Sequence, residues 1–303
     1  MSALASPPKL LAAARPHAEA LSRAVESNLP PLTVLEPGRQ TLGQELWELW
    51  SQRELLFFFV WRDVKVRYQQ AALGIAWALL QPLTQMVLFA VVFGRYAGLA
   101  RQTNVPYLWF VLSGLVPWVF FANTLTAASH SMVASRDQLT KVYYPRLAIP
   151  CSAVLAGLVD FTVGLGLLFT VLAVGGVEFT VALWALPALL FLLLLTALGA
   201  GVLFSAGVAA YRDFRFVVPF ILQVGLFATP IIYPPTIFPA AWRWLVALNP
   251  LAGIIEAVRA CLFGGWTGET TLHLALSTSS AGALLYVALE VFRRMERGLA
   301  DRI

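Results

Sequence analysis

The chain has 303 residues, of which 59% are hydrophobic and 12% charged, and its formal net charge is +5. Soluble globular domains carry about 45–50% apolar and about 25% charged residues. So few charges cannot cover the surface of a water-soluble protein of this size. The 20 Phe, 10 Trp and 8 Tyr residues offer more burial than a disordered chain provides. The composition therefore argues against a soluble enzyme, excludes disorder and predicts an integral membrane protein.

Two regions precede the first apolar segment of spanning length. Residues 1–42 are rich in Ala and Pro, which predicts a flexible cytosolic extension. In residues 43–61, Leu and Trp recur at helical spacing against Glu and Gln, a pattern typical of a helix lying in the membrane interface. We therefore assign residues 43–72 to an amphipathic interface region.

Six apolar segments are long enough to cross the bilayer, because about 30 Å of hydrocarbon requires about 20 helical residues. They comprise residues 73–93, 106–129, 147–174, 181–210, 216–233 and 274–292. The fifth is short and contains Pro219 and Pro230. Residues 73–303 thus form an all-α transmembrane domain of six spans, some of them kinked.

The basic residues orient this domain. Of the 21 Lys and Arg residues, 17 fall on one side of the six spans and 4 on the other. Cytoplasmic segments carry the excess of Lys and Arg in membrane proteins. Both termini are therefore predicted to be cytoplasmic. Because the basic residues lie between apolar segments, we expect them to meet lipid head groups and expect no nucleic-acid partner.

The segment between the fifth and sixth spans, residues 234–263, is unusually apolar for a loop. Within it, Asn249 is a suitable helix cap and Pro250 suits the first helical position. Apolar stretches of about 10–14 residues are more often re-entrant or interfacial than spanning. We predict two short half-helices that enter the outer leaflet.

The charged residues that stand out are a cluster before the first span and one acid within the third. Arg62, Lys65, Arg67 and Tyr68 either anchor the chain to an anionic leaflet or bind an anionic head group, which Arg grips bidentately. Asp160 lies about halfway along its span, where an acid is costly unless paired or hydrated. It is either an ion relay or an acid hydrogen-bonded within the bundle.

Aromatic residues crowd the spans, and most fit the belts at the two membrane interfaces. A subset that faced an interior path would stack on sugar rings beside polar groups. The candidates for this path are Trp77, Phe110, Trp118, Phe121 and Asn123.

Enzyme motifs do not emerge from the sequence. The chain contains no Gly-x-x-x-x-Gly-Lys-Ser/Thr motif, so it has no phosphate-binding loop with which to act as an ATPase. His17, His130 and His273 are dispersed and fit polar loop positions. We predict no catalytic residue and no metal site.

Six stretches occur in the order typical of one family. They are WRDVKVRYQQAALGIAWALLQPL at 61–83, VPYLWFVLSGLVPWVFF at 105–121, LTKVYYPRLAIP at 139–150, YRDFRFVVPFILQ at 211–223, TPIIYP at 229–234 and NPLAGIIEAVR at 249–259. The chain over residues 45–300 resembles the membrane subunit of bacterial ATP-binding-cassette exporters of polysaccharides, the permeases for O-antigen, teichoic acid and capsule.

This resemblance implies a homodimer in the bacterial cytoplasmic (inner) membrane that exports a lipid-linked polysaccharide along a path between the two copies. Two copies of a separate ATPase subunit would bind ATP and Mg²⁺, and this chain would bind no cofactor itself.

The resemblance also carries roles to matching positions. The helix at 43–61 resembles the family's interface helix, and the cluster at 62–68 would clamp a lipid pyrophosphate. Residues 136–146 resemble the segment that couples to the ATPase, with Arg136, Asp137, Lys141 and Tyr143 as candidates. Residues 234–263 resemble an outer gate, for which the candidates are Tyr233, Pro234, Trp242, Asn249 and Pro250.

Two other functions remain open at the level of sequence. A membrane-embedded transferase acting on lipid-linked sugars would need converging acids, a metal pair or a nucleophile, and the acids here are scattered. An ion-coupled secondary transporter usually has internal repeats and coupled ionisable residues. No repeat is evident in this chain.

Overall fold

The computed structural model describes residues 42–69, 74, 76–135, 144–178 and 181–299. Within these ranges the chain is helical and contains no β-strand, which confirms the predicted all-α class. The helices are α1 (Leu42–Ser51), α2 (Arg53–Tyr68), α3 (Ala76–Phe89), α4 (Tyr107–Ala134), α5 (Ala148–Val174), α6 (Leu186–Ala210), α7 (Phe214–Ala228), α8 (Ala240–Ala247), α9 (Pro250–Phe263) and α10 (Gly268–Leu299). The predicted extension at 1–42, apart from its last residue, lies outside the described residues.

Five of these helices are long and apolar enough to cross a membrane. They are α3 with its π-helical continuation Ala90–Tyr96, α4, α5, α6 with the preceding turn Val181–Ala185, and α10. Their bounds follow the predicted spans closely, although α10 begins six residues before the predicted start at 274. Pro82 and Pro117 lie inside α3 and α4.

The predicted fifth span, 216–233, is shorter in the structure. Its helix, α7, has 15 residues and ends at Ala228, so it extends about 22 Å at 1.5 Å per residue. Thr229 is extended (φ −95°, ψ 137°), because the ring of Pro230 disfavours a helical conformation in the residue before it. Among the described residues, five helices are thus of spanning length, and a shorter apolar helix lies at the fifth position.

Helix α4 lies at the centre of the bundle. Its residues 110–118 are buried without interruption, and it packs against α3, α5, α6, α7 and α9. The apolar residues of α4 are distributed around the helix without an amphipathic pattern, as expected for a helix inside a bundle. Behind it, α6 approaches α10 closely at Gly199, where an added Cβ would lie 3.0 Å from the Cα of Leu285.

The predicted interface region forms two helices, α1 and α2, that are separated at Gln52. Their exposed faces carry large aromatic residues, as expected for side chains at a membrane interface: Trp47, Trp50, Phe57, Phe58 and Trp61. Phe59 is buried instead, with its ring 5.1 Å from that of Tyr144. Burial raises the pKa of the Tyr144 phenol, which stays neutral at physiological pH.

Candidate functional site

The last turns of α2 run alongside α5. Phe59, Asp63 and Arg67 are four residues apart and therefore share one face of α2. Phe59 is buried beside the start of α5, Asp63 accepts a hydrogen bond from Ser152 Oγ at 2.9 Å, and Arg67 contacts Asp160. Ser152 and Asp160 lie about 12 Å apart along α5 at 1.5 Å per residue. Helix α2 therefore carries its cationic end along the third predicted span.

Asp160 is paired, which neither its sequence neighbours nor the other spans indicated. Arg67 Nη1 donates to Asp160 Oδ2 at 2.5 Å, and the Tyr68 hydroxyl donates to Asp160 Oδ1. The Arg67 and Asp160 side chains are 31% and 21% exposed, so the pair is partly shielded from solvent. Of the two roles that the sequence left open, this geometry favours the acid that is hydrogen-bonded within the bundle.

The pair lies at the edge of an open cleft of about 410 Å³ between α2, α3, α4 and α5. The cleft combines a cation, an acid, an aromatic ring and several amide and hydroxyl groups. Its lining includes Arg67, Tyr68, Asp160, Trp77, Gln81, Asn123 and Thr126. Asn123 Nδ2 donates to Gln81 Oε1 at 3.3 Å. Trp77 is 56% exposed, so its ring is free to stack on a ligand.

The other two residues of the predicted clamp lie on the same helix. Arg62 donates to the carboxylate of Asp63, at 2.8 Å from Nη2 to Oδ1, and its guanidinium lies over the Phe59 ring at 5.0 Å. Lys65 is exposed. Two of the three predicted clamp cations, Arg62 and Arg67, are thus already paired with carboxylates of this chain.

The five predicted path residues fall in two environments. Trp77 and Asn123 line the cleft. Phe110, Trp118 and Phe121 are buried in the core, where Trp118 packs on Phe121 with ring centroids 5.9 Å apart. The structure therefore brings two of the five beside Arg67. The assignment of all five to a translocation path stays a prediction.

At the opposite end of α4, the gate segment begins where α7 breaks. Residues after Ala228 leave the helix, so their carbonyl groups need donors in an apolar environment. Arg259 of α9 supplies them: its Nη1 donates to Pro230 O at 2.6 Å and its Nη2 to Ile231 O at 2.7 Å. Tyr107 OH donates to Ile232 O at 2.7 Å. Side chains from α4 and α9 thus stabilise the break.

Arg259 is a functional candidate that the sequence analysis missed. It is 7% exposed and also contacts α4, where its guanidinium lies 3.6 Å from the Phe110 ring centroid and donates to Phe110 O at 3.1 Å. A signal was present, because a lone arginine within the apolar stretch 250–263 marks a buried and partnered charge. The predicted path residue Phe110 therefore makes a cation–π contact with Arg259.

The predicted half-helices are present as α8 and α9, which meet at an angle of 101°. Asn249 caps α9 by accepting a hydrogen bond from Leu251 N at 3.0 Å, and its Nδ2 donates to Thr229 Oγ1 at 2.8 Å. Pro250 is the first residue of α9. The cap and the predicted proline position are confirmed. The entry of the two half-helices into the outer leaflet stays a prediction. Asn249 also ties this elbow to the break after α7.

The remaining gate candidates lie around the same elbow. The Tyr233 hydroxyl donates to Phe227 O at 2.6 Å, and its ring packs edge-on against Phe238 with centroids 5.6 Å apart. Pro234 is buried, whereas Trp242 on α8 is exposed. Their role in gating stays a prediction.

His273 lies within α10 and is buried, so its assignment to a polar loop was wrong. Its Nδ1 is 2.8 Å from Glu256 Oε2 on α9. Glu269, one turn before His273, accepts a hydrogen bond from Arg243 of α8 at 3.0 Å. These contacts connect α8 and α9 to α10. The predicted loop ends early because Gly268 already begins α10.

The predicted coupling residues, Arg136, Asp137, Lys141 and Tyr143, lie outside the described residues. The described chain reaches Ser135 at the end of α4 and resumes at Tyr144 before α5.

The bundle of spanning helices and the broken pair α8 and α9 together define a polytopic helical membrane protein. Residues 54–263 match the ABC-2 type transporter family. The chain belongs to this family, and it is a membrane permease.

Relatives of the chain carry transport names. It is 27% identical over 259 residues to the O-antigen export system permease protein RfbA of Myxococcus xanthus, covering 84% of this chain and 98% of that protein. It is 26% identical over 250 residues to RfbA of Klebsiella pneumoniae, covering 82% and 94%. The polysialic acid transport protein KpsM of Escherichia coli is 23% identical over 242 residues, covering 78% and 92%. These matches confirm the resemblance noted in the sequence.

Proposed function

We propose that this chain is the transmembrane subunit of an exporter that moves a lipid-linked polysaccharide across the bacterial inner membrane. The subunit works as a homodimer with both termini in the cytoplasm. Two copies of a separate ATPase bind ATP and Mg²⁺ and supply the energy. The relatives named for O-antigen export and polysialic acid transport support this substrate class.

The observation that carries the proposal is the cleft beside α2. It places a cation, Arg67, next to an exposed aromatic ring, Trp77, and to amide groups of Gln81 and Asn123. Arginine binds phosphate bidentately, and aromatic rings with neighbouring amides suit sugars. The exposed aromatic residues of α1 and α2 suit the membrane interface, which would hold this site beside the lipid head groups. A phosphate with lipid on one side and sugar on the other fits this arrangement.

In the proposed mechanism, the ATPase acts on the permease through residues 136–146. ATP binding and hydrolysis move these segments, which changes the path between the two copies. The lipid-linked end of the glycan enters first from the cleft, and the glycan then advances outward in steps. The segment from Tyr233 to Phe263 closes the path at the outer face between steps.

The test of this function is reconstitution. The native complex is purified through a tag on this chain and inserted into vesicles that hold the lipid-linked glycan of the native strain. Copurification of an ATPase and ATP-dependent appearance of glycan on the trans side are the expected results. Movement driven by an ion gradient without nucleotide contradicts the proposal and favours a secondary transporter.

Replacing Arg67 with Ala is expected to weaken stimulation of the ATPase by the glycan lipid. Hydrogen bonds to charged groups contribute about 1.5–3 kcal/mol, so the half-stimulating concentration rises about 10- to 100-fold. The measurement is ATP hydrolysis by the reconstituted complex against glycan-lipid concentration. Arg53→Ala removes an exposed arginine from the start of α2, outside the cleft, and is the matched control. Equal stimulation of the Arg67 and Arg53 variants argues against the clamp.

Lys141→Glu combined with Tyr143→Ala is expected to separate the ATPase from the permease, because both changes fall in the proposed coupling segment. The measurement is the amount of ATPase that copurifies with the tagged chain. Arg101→Glu makes the same charge reversal in the segment between α3 and α4, predicted to lie on the other side of the membrane, and should leave the complex intact. A double variant that still copurifies its ATPase and exports glycan refutes the assignment.

A further inference from the structure

The cationic group of the cleft is already occupied by an anion of the same chain. Arg67 and Tyr68 both donate to the two oxygens of the Asp160 carboxylate, one to each. A carboxylate and a phosphate use the same donors on arginine. A phosphate that takes the Nη1 donor of Arg67 and the Tyr68 hydroxyl therefore competes with Asp160.

The partial burial of Asp160 makes separation of the pair costly. Its side chain is 21% exposed, so a neutral ligand that separated the pair would leave an acid poorly solvated and an arginine without its counter-charge. An anionic ligand replaces the lost partner of Arg67, and a doubly charged one does so more strongly. Asp160 therefore sets a threshold that depends on ligand charge.

The released carboxylate has a place to go. Asp160 lines both the large cleft and a smaller cavity between α3, α4 and α5. Asn123 lines both cavities as well, and its amide carries two hydrogens, one of which is donated to Gln81. Because Asn123 and Asp160 line the same two cavities, the second amide hydrogen is a candidate donor to the released carboxylate.

We propose that Asp160 is a competing counter-anion, which occupies Arg67 and Tyr68 until the pyrophosphate of a lipid head group displaces it. The inference rests on the proposed function, since it concerns the same cleft. It adds that Asp160 lowers the affinity of every phosphate head group for this site by a common factor. Asp160 does so by competing for the donors of Arg67 and Tyr68.

The test uses the full chain in lipid nanodiscs and three probes that share one polyprenyl chain: a pyrophosphate, a monophosphate and the free alcohol. In the wild-type protein the pyrophosphate should bind at least about 10-fold more tightly than the monophosphate. In Asp160→Asn both phosphates should bind more tightly by a similar factor of about 10 or more, so their ratio is kept, whereas the affinity of the alcohol should not change. Inorganic pyrophosphate, tested as a competitor, distinguishes a site for the free anion from one for the lipid head group.

Two further variants make the result decisive. Asp160→Ser also removes the charge and leaves room in the cleft, so it replaces Asp160→Asn if that variant does not fold. Glu290→Gln removes a carboxylate paired with Arg293 and Arg294 at the far end of α10, and it should leave all three affinities unchanged.

Three results overturn the proposal. Unchanged affinities in both Asp160 variants show that the acid does not compete, whereas weaker binding shows that it positions Arg67 for the ligand. Absence of pyrophosphate binding in every variant removes the site itself. None of these outcomes depends on ATP-driven glycan movement, so the export function stands or falls separately in the vesicle assay.

Discussion

Replacing Arg259 with Met should lower the free energy of unfolding by about 2–6 kcal/mol, because two buried carbonyls left without donors cost about 1–3 kcal/mol each. Methionine keeps much of the apolar stem but donates no hydrogen bond. The carbonyls of Pro230 and Ile231 would lose their Arg259 donors in an apolar interior. The measurement is the thermal midpoint of the purified protein, expected to fall by roughly 10 °C.

The control for this prediction is another arginine of the same segment. Arg243→Met removes a pair with the half-exposed Glu269, and pairs of that kind contribute about 1 kcal/mol or less. Arg259→Lys keeps the charge but replaces the planar fork by a single ammonium, so an intermediate midpoint is expected. A midpoint for Arg259→Met within the error of the Arg243 control contradicts the role assigned to Arg259.

The helices of this protein were predictable because the hydrophobic requirement of a membrane acts on local sequence. Five of the six predicted spans correspond to helices of spanning length, and the elbow at Asn249 and Pro250 was evident from local capping preferences. The early end of α7 was also encoded locally, since Thr229 precedes Pro230.

The pairing of charges was not predictable in the same way. Arg67 and Asp160 lie 93 residues apart, and only the path of α2 along α5 brings them together. Each residue was singled out separately, the first as a clamp and the second as a costly acid. The sequence indicates that a charge within a span is energetically costly, whereas the identity of its partner depends on tertiary packing.

Arg259 illustrates the same limit from the other direction. The contribution of Arg259 to stability depends on the break after α7, where the carbonyls of Pro230 and Ile231 need hydrogen-bond donors. Counted as one more basic loop residue, it was assigned to the outer side of the membrane. A basic residue that is buried in the bundle carries little information on orientation, because the positive-inside rule concerns residues in loops.

Gly253→Val is expected to disrupt the elbow, because α9 and α10 touch through backbone at this position. An added Cβ would lie 2.6 Å from Ser277 Oγ and closer still to the carbonyl oxygen of His273. Ser277 Oγ accepts from Gly253 N at 2.9 Å and contacts Ala247 O at the end of α8. Moving Ser277 therefore loosens both half-helices.

The expected loss follows from that backbone contact. Overpacking a tight interior typically costs about 1–3 kcal/mol, and a backbone oxygen cannot swing away as a side chain does. Gly253→Ala should therefore lower the thermal midpoint, and Gly253→Val should in addition abolish ATP-dependent glycan release in vesicles. Gly282→Ala, on α10, meets nothing within 4 Å. Alanine favours a helix interior over glycine by about 1 kcal/mol, so this control should be neutral or slightly more stable. If both glycines tolerate alanine equally, the close approach of α9 to α10 is not what holds the elbow.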